Sequence, residues 1–399
     1  MYDMKIELNI PKLGMWLGLF LIAYLNISAM LWEGLSNSLA VSLIMILVSI
    51  IGLSVLFIRT IPTQSIKMAL FLYYLYIISV SICNNYLRVY MQEPTMVFSC
   101  AFWIFSFLLF WECGMQNSIN GELFSKIFFL LTIVCFVLFC RFYSTNLQQE
   151  FQLTALNVVY YFLFMLPAVL MSKSKKITGI GIALNIFAVL LSSKRGALII
   201  LMVSLFAWML SDLSGSFTTK KLRKILLYLV VILVSLVAIR SIVDKLDLDI
   251  FDRMETFFSG EDEDGSGRTV IWSEYWNHMR QDGLLHNLFG RGYNATKLNP
   301  ALRDLDISWA HNDFLQIVFD YGIVGFVMFC VIIGKLFKTA FEMKQFQYRY
   351  YRQFLVSLYI FLLCCFYSMV TIYPQWFLAM TAFWGIVIGD FERERSYRA

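Results

Sequence analysis

The stretch GLSNSLAVSLIMILVSIIGLSVLFI, residues 34–58, contains no charged side chain and is long enough to cross a lipid bilayer as one helix. A bilayer core of roughly 30 Å requires about 20 consecutive apolar residues in helical form. Comparable runs occupy residues 13–32, 68–87 and 353–389, and Pro374 in the last run marks a turn between two helices. This pattern predicts a chain that crosses a membrane several times.

The whole chain has the composition of a membrane protein. It is 399 residues long, 59% hydrophobic and 15% charged, and its mean hydropathy is +0.69. Soluble domains average about 45–50% apolar and about 25% charged residues. With the shorter apolar runs included, the sequence predicts an all-α, polytopic protein of about 12 transmembrane helices. The shorter runs lie at residues 95–111, 127–140, 154–171, 177–193, 196–211, 225–239 and 314–334.

Basic residues are concentrated in alternate loops, which predicts the orientation of the chain. Cytoplasmic loops of membrane proteins contain an excess of Lys and Arg. With a cytoplasmic N-terminus, the basic loops and the basic C-terminal tail all fall inside, so both termini are predicted to be cytoplasmic. The predicted organisation is residues 1–243 with spans one to nine, an outer loop at 244–313 with amphipathic helices, and residues 314–399 with spans ten to twelve and the tail.

The sequence LSSKRGA, residues 191–197, places two basic side chains in a predicted outer turn. Moving an arginine toward hydrocarbon costs roughly 2.5–3.5 kcal/mol, so Arg195 is expected to have a partner. One interpretation is that Lys194 and Arg195 bind an anionic substrate. The other is that Arg195 reaches lipid phosphate or pairs with the acidic outer loop.

Two further arginines in the outer loop are flanked by glycines. Arg268 follows GSG and precedes a stretch with helical apolar spacing, an arrangement that commonly holds phosphate. Arg291 lies between Gly290 and Gly292, in the sequence LFGRGYNA. A guanidinium group suits a pyrophosphate because it donates two parallel hydrogen bonds. The alternative is that both are solvated loop arginines that form ion pairs with nearby acidic residues.

The sequence WAHNDFLQIVFDYGIVG, residues 309–325, contains one of only three histidines. A neutral imidazole can accept a proton from a hydroxyl group, so His311 is a candidate base, although a histidine at a helix start is often a cap or a surface residue. Asn312 or Asp313 is predicted to be the N-cap of the following span. No zinc spacing or nucleotide-binding loop is present, and the acidic loop disfavours nucleic acid. An EF-hand reading of Asp262, Asp264, Ser266 and Gly267 lacks the closing Glu, since the twelfth position is Ser273.

Taken together, these segments resemble the O-antigen polymerase and O-antigen ligase superfamily of bacterial envelope polysaccharide enzymes. The ligase-type motif is a His, then Asn, Ser or Gln, nine residues, a Gly, two residues, and then Gly, Thr or Tyr. The residues that match this motif and the other family elements span about 190–325: Arg195, Arg268, Gly290, Gly292, His311, Asn312, Gly322 and Gly325.

The resemblance implies an inverting, metal-independent glycosyltransferase without a cofactor. Arg195 and Arg268 would bind the pyrophosphate of an undecaprenyl-pyrophosphate-linked oligosaccharide, and His311 would orient or deprotonate the acceptor hydroxyl. Gly322 and Gly325 would let the tenth span pack closely on a neighbour, and Asp320 would pair with Arg195 or reach water. Further substrate-binding residues are expected to be Lys194, Arg291, Asn312 and Tyr293.

The resemblance also implies a multi-pass protein of the bacterial inner membrane, with the active site facing the periplasm. Its partners would be the lipid-linked donor and acceptor, membrane lipid and a polysaccharide chain-length regulator. The short length of the chain and the sequence around His311 favour a polymerase, which extends a lipid-linked repeat. The alternatives are a ligase that transfers the glycan to lipid A core, and a lipid-linked oligosaccharide flippase, although ionisable residues in mid-span and broken helices in two halves are not evident.

Overall fold

A computed structural model describes residues 9–31, 39–58, 65–86, 94–147, 157–192, 194–211, 268–299, 302, 305, 307, 309–370 and 374–398. Within these ranges the chain forms helices and no strand, which confirms the predicted all-α class. The helices are α1 (Ile10–Leu31), α2 (Leu39–Ile58), α3 (Ile66–Tyr86), α4 (Pro94–Met115), α5 (Gly121–Leu147), α6 (Val159–Val169), α7 (Lys175–Leu191), α8 (Arg195–Ser211), α9 (Arg268–Gln281), α10 (Leu284–Phe289), α11 (Ala295–Leu298), α12 (Asp313–Gln345), α13 (Tyr351–Tyr367) and α14 (Pro374–Arg398).

Four of the described helices are long and apolar enough to cross a membrane, namely Ile10–Leu31, Ile66–Asn84, Gly121–Phe142 and Asp313–Gln345. Shorter apolar helices accompany them. Each predicted apolar run overlaps a helix, apart from residues 225–239, which lie outside the described residues. The structure therefore agrees with a multi-pass membrane protein, while the total of twelve spans stays a prediction.

The two ends of the helix bundle differ in their residues. At one end, the ammonium group of Lys67 at the start of α3 forms an ion pair with Glu392 near the end of α14, at 2.6 Å. Basic side chains from three predicted inner segments also meet there, around a cavity of about 390 Å³ lined by Lys173, Arg349 and Arg393. We call this the Lys67 end. Helix α13 leads away from it and finishes at the opposite end, which we call the His311 end.

The closest helix packing joins α4 and α14 through glycines. A methyl group added to Gly385 would lie 2.7 Å from the carbonyl oxygen of Phe107, and one added to Gly114 would lie 2.5 Å from that of Ile386. Small residues allow helix backbones to approach in this way when no hydrophobic effect drives them together. The pair forms the centre of a large apolar core that all the long helices share.

A second, smaller core holds the outer segment on the bundle at the His311 end. Tyr275 and Met279 on α9 pack with Phe319 on α12, and the Tyr275 and Phe319 ring centroids are 4.8 Å apart. Because Tyr275 and Met279 are four residues apart, they lie on one face of α9. This packing fixes the start of α9 beside the start of α12.

Candidate active site

Segments that are distant in sequence meet at the His311 end. Partial burial of the imidazole, and then the positive charges of Arg268 and Lys194, lower the pKa of His311 below its ordinary value. These charges reach the ring because both side chains lie close to it. Arg268 also interacts electrostatically with the hydroxyl group of Tyr160 on α6. The structure therefore places Lys194 and Arg268 near His311.

The first turn of α8 brings the other predicted arginine to the same place. Arg195 begins this helix, directly after Lys194. A methyl group at Gly196 would lie 3.5 Å from the hydroxyl oxygen of Tyr160 and 3.4 Å from Cβ of Tyr367. The start of α8 thus packs against the same tyrosine that interacts with Arg268. The two basic motifs lie on either side of one buried hydroxyl group.

His311 has an unusual backbone conformation that its neighbours hold in place. Its φ angle is 51°, in the left-handed region, which costs non-glycine residues about 1–3 kcal/mol. The indole of Trp272 donates a hydrogen bond to the carbonyl oxygen of Ala310 at 2.8 Å. The backbone N–H of Ala310 donates to Oε1 of Gln316 at 3.0 Å. Both bonds fix the residue before His311, while His311 itself stays accessible to solvent.

Asn312 and Asp313 anchor the start of α12. Asn312 is the N-cap, as predicted, and its Oδ1 accepts a hydrogen bond from the backbone N–H of Leu315 at 3.1 Å. Its Nδ2 donates to the carbonyl oxygen of Phe366 at 3.3 Å. The carboxylate of Asp313 accepts a hydrogen bond from the backbone N–H of Val370 at 2.7 Å. Asn312 was predicted to bind substrate, but both ends of its amide contact protein groups.

The sequence analysis did not identify the segment to which Asn312 and Asp313 bond, residues 366–370 at the end of α13. We call it the α13 exit. Its residues lie beside the segments that form the cluster: Phe366 packs edge-on against Trp272 with ring centroids 6.5 Å apart, Tyr367 contacts Gly196, and Ser368 lies near the hydroxyl group of Tyr160. The only sequence signal is topological, because the predicted turn before Pro374 falls on the same side as His311. Tyr160 itself gives no signal within its apolar run.

A buried polar network lies directly beneath His311. The hydroxyl of Tyr275 lies 2.7 Å from Oγ1 of Thr296 and donates to Oε1 of Gln316 at 2.9 Å. Nε2 of Gln316 donates to the same threonine oxygen at 3.0 Å. Because buried polar groups require partners, this network specifies one arrangement of α9, α11 and α12. Gln316 also accepts the Ala310 bond, so it connects the network to His311.

Arg291 does not belong to the cluster. Its side chain is 0% exposed and forms an ion pair with Asp282. Its guanidinium group also donates to the carbonyl oxygen of Phe319 at 2.9 Å and to Oδ1 of Asn287 at 3.2 Å, and it lies 4.2 Å from the Phe319 ring centroid. These protein partners occupy the donors that were expected to grip a pyrophosphate, so the structure gives Arg291 a structural position.

Asp320 also differs from its predicted role as the partner of Arg195. Its buried carboxylate accepts hydrogen bonds from the backbone N–H groups of Asn294 and Ala295, at 3.3 and 3.2 Å. It therefore organises the turn that follows Arg291, and it neither pairs with Arg195 nor reaches water. Tyr293 in this turn is 7% exposed and was predicted to bind glycan; the structure packs it inside the protein.

The backbones at Gly322 and Gly290 pack directly against each other. Gly322 interrupts α12 with φ 68° and ψ −175°, and Gly290 has φ 88° and ψ −179°. Only glycine adopts this region without strain. A methyl group on Gly322 would lie 2.5 Å from the carbonyl carbon of Leu288. The predicted close packing is present, but Gly322 packs against the end of α10 and does so where α12 is broken. Gly325 faces α3, because a methyl group there would lie 3.1 Å from the Tyr76 ring.

No group of three His, Cys, Asp or Glu side chains that would hold a metal ion occurs among the described residues. Those considered for calcium, Asp262, Asp264, Ser266 and Gly267, lie outside them.

Comparison with known families gives one match. Residues 180–330 match the family model described as O-antigen ligase. This region includes the start of α8, the start of α9, His311 and the two glycines of α12. A search of curated proteins found no match. The family implies a glycosyltransferase-like membrane enzyme of O-antigen or related polysaccharide assembly. Residues 180–330 of this chain thus resemble the O-antigen ligase family, in agreement with the superfamily resemblance found in the sequence.

Proposed function

We propose that this protein is an O-antigen polymerase, which transfers a glycan from undecaprenyl pyrophosphate to a lipid-linked repeat unit at the periplasmic face of the inner membrane. The reaction inverts the sugar configuration and uses no metal ion. The observation that supports the proposal is that the cations Lys194 and Arg268 lie near the imidazole of His311, with Arg195 next to Lys194 in the chain. A site with these charges favours a substrate that carries two phosphates next to an uncharged nucleophile.

The bond changes follow from this arrangement. The acceptor hydroxyl oxygen attacks C1 of the donor sugar, and the bond from C1 to the pyrophosphate oxygen breaks. The hydroxyl proton passes to His311, and the electron pair leaves with the lipid pyrophosphate. Arg195 and Arg268 stabilise the negative charge that grows on this leaving group. A single displacement from the face opposite the pyrophosphate inverts C1.

The protonation state of His311 suits this step. Its lowered pKa keeps the imidazole neutral near pH 7, so one ring nitrogen is available to accept a proton. Partial burial and then the positive charges of Arg268 and Lys194 favour this neutral form. Once the anionic donor is bound, it offsets their charge and makes the ring more basic. Donor binding therefore prepares the base for its task.

The surrounding residues act as positioning residues. Trp272 and Gln316 fix the backbone before His311, and Asn312 ties the start of α12 to the α13 exit. When the base is held within reach of the acceptor hydroxyl, a bimolecular proton transfer becomes effectively unimolecular, which lowers its entropic cost. Loss of these bonds is expected to lower the turnover number more than it weakens the affinity for the donor.

A ligase is the second candidate, because the matching family model is described as O-antigen ligase. It would use the same donor and the same residues, with a lipid A core sugar as acceptor. A deletion strain distinguishes the two. Loss of a polymerase leaves core with a single repeat on a lipopolysaccharide gel, whereas loss of a ligase leaves bare core and polymer on the carrier lipid.

The site assignment is tested with purified protein in proteoliposomes that contain donor and acceptor. Arg268→Ala and His311→Ala should each lower transfer by at least about a hundredfold, the range of single electrostatic or acid–base contributions. Arg280→Ala removes an exposed arginine from the other end of α9 and is the matched control. If all three variants transfer glycan at the normal rate, the site lies elsewhere. Movement of donor across the bilayer without glycan transfer would instead identify a flippase.

A further inference from the structure

Residues 284–295 pass between α3 and α12, and we call them the inserted segment. They comprise α10, the glycine turn and the start of α11. The carbonyl oxygen of Phe289 lies 3.0 Å from the hydroxyl group of Tyr76. Tyr76 is in the middle of α3, ten residues before its end at Tyr86. At about 1.5 Å per residue, the Phe289 carbonyl lies about 15 Å below the end of α3, whose residues Ile66–Asn84 are a candidate membrane span.

A second contact gives the same placement. The backbone N–H of Tyr293 donates a hydrogen bond to Oγ of Ser81 at 3.2 Å. Ser81 is five residues before the end of α3, which corresponds to a depth of about 7.5 Å. The turn after α10 therefore rises toward the His311 end, and its deepest part is near Phe289.

The glycine turn of the inserted segment, residues 290–295, satisfies its backbone N–H groups as a non-helical chain within a membrane must. Non-helical backbone at membrane depth is tolerated only where protein groups take up its hydrogen bonds. Every backbone N–H from Gly290 to Ala295 has a partner. Gly290 donates to His286, Arg291 and Gly292 donate to the backbone carbonyl of Asp320, Tyr293 donates to Ser81, and Asn294 and Ala295 donate to the Asp320 carboxylate.

The buried arginine supports this interpretation. Arg291 lies in the same turn, with its charge paired to Asp282 and its remaining donors bound to protein oxygens. Bringing an unpaired arginine to this depth would be unfavourable by roughly 2.5–3.5 kcal/mol or more. The ion pair and the stacking on Phe319 reduce that cost, whereas a turn in water would not need them.

The side chains on the outward face of the inserted segment are apolar. Leu284, Leu285 and Phe289 are 73%, 71% and 48% exposed. On the neighbouring α12, Ile323 and Val327 are exposed as well. Since α12 is a candidate membrane span, its exposed residues face acyl chains, and the patch on α10 continues that surface. In water such a contiguous apolar patch would be unusual.

We propose that the inserted segment is re-entrant: it enters the leaflet at the His311 end, and Leu284, Leu285 and Phe289 contact lipid acyl chains. The partner of this surface is therefore the hydrocarbon of the bilayer. Residues 284–295 then rest in lipid beside the candidate active site, rather than above it in water. This inference does not depend on the reaction that the site performs.

Fluorescence quenching in proteoliposomes tests the proposal. Cys83, Cys100, Cys140 and Cys330 are first replaced by alanine, because they are exposed, half-buried or not described. A single cysteine with a solvatochromic label is then placed at Leu285. Gln281→Cys, at the exposed end of α9, is the aqueous control, and Val327→Cys, exposed on α12, is the lipid control. Iodide quenches labels in water, and lipids with a nitroxide on the acyl chain quench labels in hydrocarbon.

The label at Leu285 is expected to behave as the label at Val327 does. Nitroxide lipids should quench it severalfold more strongly than they quench the Gln281 label, and iodide severalfold less. Iodide quenching equal to that at Gln281 would overturn the proposal. Protection from both quenchers would mean that protein covers the patch, for example a second copy of the chain, and would also overturn it. Since Leu285 is exposed, the substitution itself should not disturb folding.

Discussion

Replacement of Gly322 by alanine tests the break in α12. The change adds one methyl group where φ is 68° and ψ is −175°. That methyl group would lie 2.5 Å from the carbonyl carbon of Leu288 and 2.6 Å from the backbone nitrogen of Gly290. Both are backbone atoms, so neither can move aside by a rotamer change. We expect Gly322→Ala to destabilise the protein strongly.

The expected magnitude has two contributions. A non-glycine residue in this backbone region costs about 1–3 kcal/mol. Displacing the loop backbone costs about 1–3 kcal/mol more, as for other overpacked sites. The total is about 2–6 kcal/mol. Gly334→Ala is the control on the same helix, because a methyl group there meets nothing within 4 Å, and alanine in a helix is better than glycine by about 0.5–1 kcal/mol.

The assay is denaturant titration of both variants in mixed detergent micelles, followed by tryptophan fluorescence. Gly334→Ala should match or slightly exceed the wild-type free energy of unfolding, while Gly322→Ala falls below it. Equal stability of the two variants would refute the reasoning, because it would mean that α12 runs through residue 322 without a break. Hydrogen exchange would then show protection that continues across this position.

Three further predictions concern the cluster and the network beneath it. Arg268→Ala removes a cation that lowers the pKa of His311, so this pKa should rise toward its ordinary value. The acidic limb of the pH–rate profile should then move to higher pH. Arg280→Ala should change neither the pKa nor the profile, and NMR titration of the imidazole measures the pKa in both variants. Gln316→Ala leaves the backbone N–H of Ala310 without an acceptor and leaves the Tyr275 hydroxyl with Thr296 as its remaining partner, so the free energy of unfolding should fall by about 1–3 kcal/mol in a denaturant titration. Asp320→Ala deprives two buried N–H groups and should cost about 2–6 kcal/mol, whereas Asp320→Asn keeps one acceptor and should lose about half as much in the same titration.

The helices and one cap were predictable because their signals are local. Runs of apolar residues identify helices wherever backbone hydrogen bonds must be made internally. Asn312 was predicted as a candidate N-cap because its side chain precedes an apolar run, and its Oδ1 does accept the Leu315 N–H. Arg195, Arg268 and His311 were expected to share a site because their motifs occur in order and each falls on the predicted outer side. Each of these predictions uses only neighbours in sequence or the sidedness of loops.

The predictions that failed concern partners that are remote in sequence. Arg291 between two glycines has the local pattern of an anion-binding turn, but its carboxylate partner, Asp282, is nine residues away across two helix ends. Asp320 was expected to find a cation and instead accepts backbone N–H groups. Local sequence specifies the charge of a side chain, whereas tertiary packing decides which group neutralises it.

The break at Gly322 could not be predicted for a different reason. Residues 314–334 have continuous apolar character, and a glycine in such a run is compatible with a straight helix. Only the approach of Leu288 and Gly290 requires the left-handed backbone at that position. Tyr160 and the α13 exit were missed similarly, because an aromatic or small residue in an apolar run has no distinguishing pattern.

The close fit of α14 against α4 has a consequence for biosynthesis. Gly114, Gly385 and Gly389 bring these two backbones together, yet α14 is the last described helix to emerge from the ribosome. Until residue 374 and its successors have been made, the groove along α4 has no occupant, and Lys67 lacks its partner Glu392. A nascent chain that stalls before α14 therefore exposes both an apolar groove and an unpaired charge, two features by which membrane quality control can recognise an unfinished protein.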